Sequence, residues 1–253
     1  GCRKYFFKML LKGILLLVSI AQIAADFKSI GIEQAPWQAS VQINDKHHCG
    51  GVIYSEDIIL TIAECVRKAR LEFISVRVGS AQENAGGTVL KVEKMRLQVL
   101  GLRPSDVAIL QLRSPLYLDG GIRAIPLATI PLVPGTNASV SGWGQLSAMN
   151  PSSEVLLRVD VKIQDQLMCA TNLALKGRLM SVGEICAAPA GEIPYACQGF
   201  VGGPLVANNR LYGILSWQSA CDVLNKSSVY ANIAMFKVWI ESTVKLMNFF
   251  RIG

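Results

Sequence analysis

Beyond the first forty residues, the chain alternates between short runs of β-forming residues and clusters of turn residues. Val41-Gln42-Ile43, Phe73 to Val78, Val107 to Leu112 and Val155 to Val161 are such runs, the last alternating apolar and polar residues in its second half. Gly, Pro, Asn and Ser punctuate them, as in Pro134-Gly135-Thr136-Asn137. Many short strands at this spacing predict an all-β sandwich or barrel. The end of the chain differs. From Ala234 to Met247, Phe236, Val238, Trp239, Ile240, Val244 and Leu246 recur at mostly helical spacing, which predicts a C-terminal amphipathic helix. With 253 residues and 51% hydrophobic content, the chain can fill the core of one domain or two tightly packed ones.

The N-terminal pattern is of another kind. Arg3, Lys4, Lys8 and Lys12 precede the apolar run Ile14-Leu15-Leu16-Leu17-Val18, and small residues follow at Ser19, Ala21, Ala24 and Ala25. This order predicts a secretory signal peptide over residues 1–25, with an upstream extension before Met9 and cleavage after Ala21 or Ala25. The run is short for a membrane span, so a secreted, extracellular protein without a membrane partner is expected.

Removing the leader changes the charge. The net charge of +7 comes from 25 basic and 18 acidic residues, and the leader's four basic residues leave 21 against 18, near +3. No basic cluster resembling a nucleic-acid surface remains, so no nucleic-acid partner is expected. Of seven cysteines, Cys2 falls in the leader. The remaining even number reads as a disulfide set, whose pairing spacing alone does not select. Zinc is disfavoured because no C-x-x-C pair occurs. The only histidines, His47 and His48, are strand neighbours whose side chains point to opposite faces. No metal and no cofactor are expected.

Five stretches together carry a resemblance. Cys49-Gly50-Gly51-Val52-Ile53, Thr61-Ile62-Ala63-Glu64-Cys65, Ser105-Asp106-Val107-Ala108-Ile109-Leu110, Ser141-Gly142-Trp143-Gly144 and Cys197-Gln198-Gly199-Phe200-Val201-Gly202-Gly203-Pro204 stand in order. In sequence and spacing, from about Ala35 to Trp239, they resemble the trypsin- and chymotrypsin-like serine proteases. The resemblance implies two antiparallel six-stranded Greek-key β-barrels with a cleft between them, over about 26–120 and 121–233. A C-terminal helix would follow, the whole domain spanning 26–248.

Such an enzyme needs an alcohol nucleophile, an imidazole to move its proton and a carboxylate to orient the imidazole. On the matching positions, the carboxylate is Asp106, but Glu64 stands for the histidine and Val201 for the serine. A valine side chain has no nucleophile, so no peptidase activity is expected. Phe200 stands where the family places the aspartate that receives the new N-terminus after activation. Tyr195, Gln218 and Ser228 occupy specificity-pocket positions, where added bulk would close a cavity whose walls need glycine. The resemblance also implies the disulfides Cys49–Cys65, Cys169–Cys186 and Cys197–Cys221. A fourth common bridge is absent, with Ala138 and Ala207 in its places.

Asn225-Lys226-Ser227 and Asn137-Ala138-Ser139 are N-glycosylation sequons. The leading expectation is a non-catalytic protease homologue, similar to those of insects. It would bind an extracellular protein as cofactor, decoy or regulator in a reproductive or immune pathway. Two alternatives stand beside it: an enzyme using Glu64 and Asp106 as an acid/base pair, and a structural protein without a specific partner.

Overall fold

The computed structural model describes residues 28–98, 107–144, 153–175, 177–190, 200–218 and 227–249. The first described strand, β1 (Lys28–Ser29), is only two residues long. It pairs with β9, far along the chain, through Lys28–Arg158 and Ser29–Leu157. A closed barrel follows, built from β2 (Gln38–Ile43), β3 (Lys46–Ile53), β4 (Ile58–Ile62), β5 (Ile74–Val78), β6 (Thr88–Leu97) and β7 (Val107–Leu112). Its antiparallel strand order is β2-β3-β4-β7-β6-β5.

Every residue of β4 and of β7 is buried, which explains why both are apolar but for Thr61 and Gln111. Gln111 is the polar exception in β7. Its side-chain amide donates to Asp57 Oδ2 at 3.2 Å and to Asn248 Oδ1 at 3.0 Å, as a buried polar group requires. The β2–β3 hairpin turns on Asn44 and Asp45, with φ of 53° and 61°. These are residues that tolerate the left-handed conformation a two-residue turn needs.

The second barrel comprises β8 (Asn137–Gly144), β9 (Ser153–Ile163), β10 (Glu184–Pro189), β11 (Pro204–Ala207), β12 (Arg210–Gln218) and β13 (Ser228–Asn232). The order β1-β9-β10-β13-β12-β11-β8 is closed by an additional β8–β9 pairing. Along β9 the inward residues Leu157, Val159, Val161 and Ile163 alternate with exposed Arg158, Asp160 and Lys162, matching the period seen in the sequence. The architecture is two six-stranded antiparallel barrels with few helices, as the resemblance implied. His47 and His48 are both residues of β3. His47 Nδ1 lies 2.8 Å from Ser40 Oγ, and its ring meets Trp143 edge-on at 5.3 Å.

Among the described residues the α-helices are α1 (Ala63–Val66), α2 (Gln166–Ala174) and α3 (Ile233–Phe249). The last is the predicted C-terminal helix, extended to include Phe249. It packs Ile233, Phe236, Ile240, Val244 and Met247 into the core of the first barrel. The helical spacing groups Val238 and Leu246 with the inward apolar set, but they are 75% and 56% exposed. They point almost opposite to the buried stripe at about 3.6 residues per turn, so apolar residues occupy two faces of α3.

Two of the implied disulfides are present, Cys49–Cys65 and Cys169–Cys186, with Cα separations of 6.1 and 6.4 Å. The Cys197–Cys221 pairing lies outside the described residues. The missing fourth bridge has a structural counterpart. The β8–β11 register pairs Val140 with Leu205 and Ser139 with Val206, so its next step sets Ala138 beside Ala207. Cross-strand neighbours have the Cα spacing a disulfide requires. The double variant A138C/A207C should therefore oxidise spontaneously and stabilise the protein by up to about 3 kcal/mol. Thiol titration and denaturation with and without reductant would check both points.

Candidate functional site

Of the residues matching the protease triad, Glu64 and Val201 are described, each on a segment tied to β3 of the first barrel. β4 runs straight into α1, whose Ala63, Cys65 and Val66 are buried while Glu64 faces outward. The Cys49–Cys65 bridge fixes this turn to β3. The Glu64 side chain is 48% exposed and forms an ion pair with Arg67, one helical turn on. Glu64 therefore sits on the surface paired with a cation of its own segment. Arg67 was not singled out in the sequence, although an i, i+3 acid–base pair is a readable signal. Asp106 lies outside the described residues. The ladder beside it in sequence is clear: Val107 pairs with Ile62, two residues before Glu64.

The loop carrying Val201 is held from both barrels. Gly50 N, on β3 of the first barrel, donates to Val201 O at 2.7 Å. Gly202 N donates to Leu215 O at 2.8 Å, and Gly203 N to Phe200 O at 2.8 Å. Thr61 Oγ1 fixes the Gly50 carbonyl at 2.8 Å. Gly202 has φ of +83°, and a Cβ there would come within 2.2 Å of Gly50 O and 2.7 Å of Thr61 Oγ1. Only glycine fits that close approach. From Phe200 to Gly203 the loop is thus held by its backbone, and the side chain it presents is an alkyl group. Val201 is half-buried and packs against the core of the first barrel.

Phe200 is wholly buried in the second barrel's core with Val140, Leu215 and Tyr230. Its ring fills the space over Gly142, where a Cβ would lie 2.8 Å from Phe200 Cδ1. An aspartate there would bury a carboxylate in an apolar cluster and leave a void. Phe200→Asp should cost about 4 kcal/mol or more, measured by urea denaturation.

Of the specificity-pocket positions, Ser228 is buried at the start of β13 and is paired across the ladder with the Gln218 backbone of β12. Tyr195, Asn225 and the side chain of Gln218 lie outside what is described. Two residues after Ser228, complete burial pushes the Tyr230 phenol well above its ordinary value of 10.0. The unfolded chain ionises this group first, so its contribution to stability is intact below about pH 10 and lost as pH rises beyond. Tyr230→Phe should flatten that alkaline decline in urea midpoint.

A groove of about 530 Å³ lies elsewhere. It is lined by Trp37, Asn137, Ala138, Arg158, Ala207 and Asn209 among others, and by none of Glu64, Phe200, Val201 or Ser228. Among the described residues, no group of three or more His, Cys, Asp or Glu side chains is arranged to hold a metal ion. None of the described helices is long and apolar enough to cross a membrane.

Two packed barrels, a glycine loop at their seam and a C-terminal helix define the serine-protease architecture. The trypsin family model matches residues 27–240, and the chain belongs to that family. It is 38% identical over 216 residues to trypsin alpha of Drosophila melanogaster, covering 84% of each chain. It is 36% identical to trypsin iota of the same species over 90% of this chain and 92% of the other. Among solved structures, neuropsin of mouse brain aligns with a TM-score of 0.77 at 26% identity, over 87% of this chain and 99% of the other. The scabies mite inactivated protease paralogue S-D1 shares the fold, with a TM-score of 0.79 at 24% identity over 87% and 97%.

Proposed function

We propose that this trypsin-family chain has no peptidase activity and acts outside the cell by binding another protein, as cofactor, decoy or regulator. The observation that carries the reading is Val201. The loop around it keeps its backbone hydrogen bonds, while the residue it presents has no lone pair with which to attack a carbonyl. The position of Glu64 supports the same reading, because its carboxylate is engaged by Arg67 at the surface. That ion pair also weighs against the alternative of an acid/base enzyme using Glu64 with Asp106. The two disulfides support an oxidising, extracellular setting. Asn137, exposed at the head of β8 with Ser139 two residues on, is the proposed glycan acceptor within the described residues, and Asn225 is the second.

A fluorophosphonate probe phosphonylates an activated serine and tests the central point. The mature protein should remain unlabelled, whereas stoichiometric labelling of any residue in the cleft would contradict the proposal. Labelling should stay absent in Val201→Ser alone, because an alcohol without an imidazole beside it is not activated. Immobilised mature protein should retain the same extracellular protein in repeated captures from the secreting tissue's fluid. Failure to retain any would favour a structural role.

A further inference from the structure

The groove of about 530 Å³ follows the outer face of β8. Residues two apart on a strand share a face, so Asn137, Ser139 and Ser141 point the same way, and all three line it. From Asn137 to Ser141 this face spans about 13 Å at the usual rise of a strand. On one side, β9 sets Asp160 opposite Ser139 and Arg158 opposite Ser141. On the other, β11 runs into the Asn208-Asn209 turn, which the continued β8–β11 register brings beside Asn137. The hydrogen bond from Ser141 Oγ to Gln38 Oε1 places the neighbouring Trp37 at the far end.

The lining combines two chemistries. Ala138, Val206 and Ala207 bring buried apolar side chains to it. The side-chain amides of Asn137, Asn208 and Asn209 are exposed and hydrogen-bond to no other described residue, which leaves donors and acceptors along the rim. Asn208 and Asn209 have φ of 47° and 53°, the conformation of a tight two-residue turn, which fixes where their side chains start. A sugar matches such a lining, because a pyranose ring has apolar C–H faces and an edge of hydroxyls. The volume lies in the range of roughly 300–1,000 Å³ that encloses a small ligand, and a disaccharide is of that size. The sequon names the ligand. Its acceptor Asn137 and its hydroxyl residue Ser139 both line the groove, so a glycan attached there starts inside it.

We propose that the groove is filled by the chain's own N-glycan, its first two N-acetylglucosamine residues lying along β8 from Asn137 towards Trp37. This rests on Asn137 as the glycan acceptor proposed above. Attachment joins Asn137 Nδ2 to the anomeric carbon of a lipid-diphosphate-linked oligosaccharide; the lipid diphosphate leaves and Nδ2 loses one proton. The first sugar lies beside Asn208 and Asn209, whose amides bond its N-acetyl group and hydroxyls. The second reaches Asp160 and Arg158, an exposed pair 3.2 Å apart that offers an acceptor and a donor to sugar hydroxyls. Together they cover the apolar lining where Ala138 and Ala207 carry no disulfide.

Protein secreted from cultured eukaryotic cells, digested with a peptide N-glycosidase and followed by mass spectrometry, tests this. Asn137 should carry a glycan, and Ser139→Ala should abolish it. The enzyme must reach the bond between Asn137 and the first sugar, so release from the native protein should be slower than from the denatured one. Asn209→Gly and Arg158→Ala should each raise the native rate about two- to ten-fold, the weight of one lost hydrogen bond, and leave the denatured rate unchanged. Glycine forms the same turn and Arg158 is exposed, so both variants keep the fold. An occupied Asn137 whose native release is as fast as the denatured, or is indifferent to both variants, would overturn the packing and leave the acceptor standing. A folded, secreted chain without sugar on Asn137 would overturn both.

Discussion

The contact on which the rest of the site depends is made chiefly by backbone. Gly50, on the first barrel, donates to the carbonyl of Val201 on the loop of the second, while Gly202 presses against Gly50 O and the Thr61 hydroxyl. No side chain fits between them. This close approach, together with the buried hydrogen bond from Ser141 Oγ to Gln38 Oε1 at 2.7 Å, sets how the two barrels meet. It therefore fixes where α1, with Glu64, stands relative to Val201. A Cβ at Gly50 would come within 2.7 Å of Gly203 N, so a change there would disturb both barrels at once.

The chemistry and the scaffold have been treated differently by the sequence. Backbone positions that require glycine, namely Gly50, Gly202 and Gly203, are retained. The positions whose side chains would bear reactivity are apolar or neutralised: Val201 joins one core, Phe200 the other, and Glu64 is paired with Arg67. Active sites hold polar groups in partly desolvated, poorly packed settings, and replacing those groups with apolar ones gains packing at the expense of function. The Phe200 ring over Gly142 fills its site with no buried charge to satisfy.

Much of this was legible in the sequence. The fully buried β7, the alternation of β9 and the C-terminal helix follow from period and composition, because core-facing residues leave a strong pattern. Glu64, Phe200 and Val201 drew attention only through the motifs around them, not through any pattern of their own. Other features left no local signal. The pairing of β1 with β9 joins segments more than a hundred residues apart, and the Gln38–Ser141 bond crosses between barrels. The outward orientation of Val238 and Leu246 was missed because an apolar residue at near-helical spacing reads as inward until the buried stripe is located. Ala138 and Ala207 became informative only once the β8–β11 register, continued by one step, set them opposite each other.

The claim that the fold is kept while hydrolysis is lost is tested most directly by catalytic turnover. Purified mature protein would be incubated with a diverse peptide library and new termini counted by mass spectrometry. The account predicts no cleavage above buffer at any peptide bond. Cleavage that co-purifies with the chain and disappears in Asp106→Asn or Glu64→Gln would contradict it.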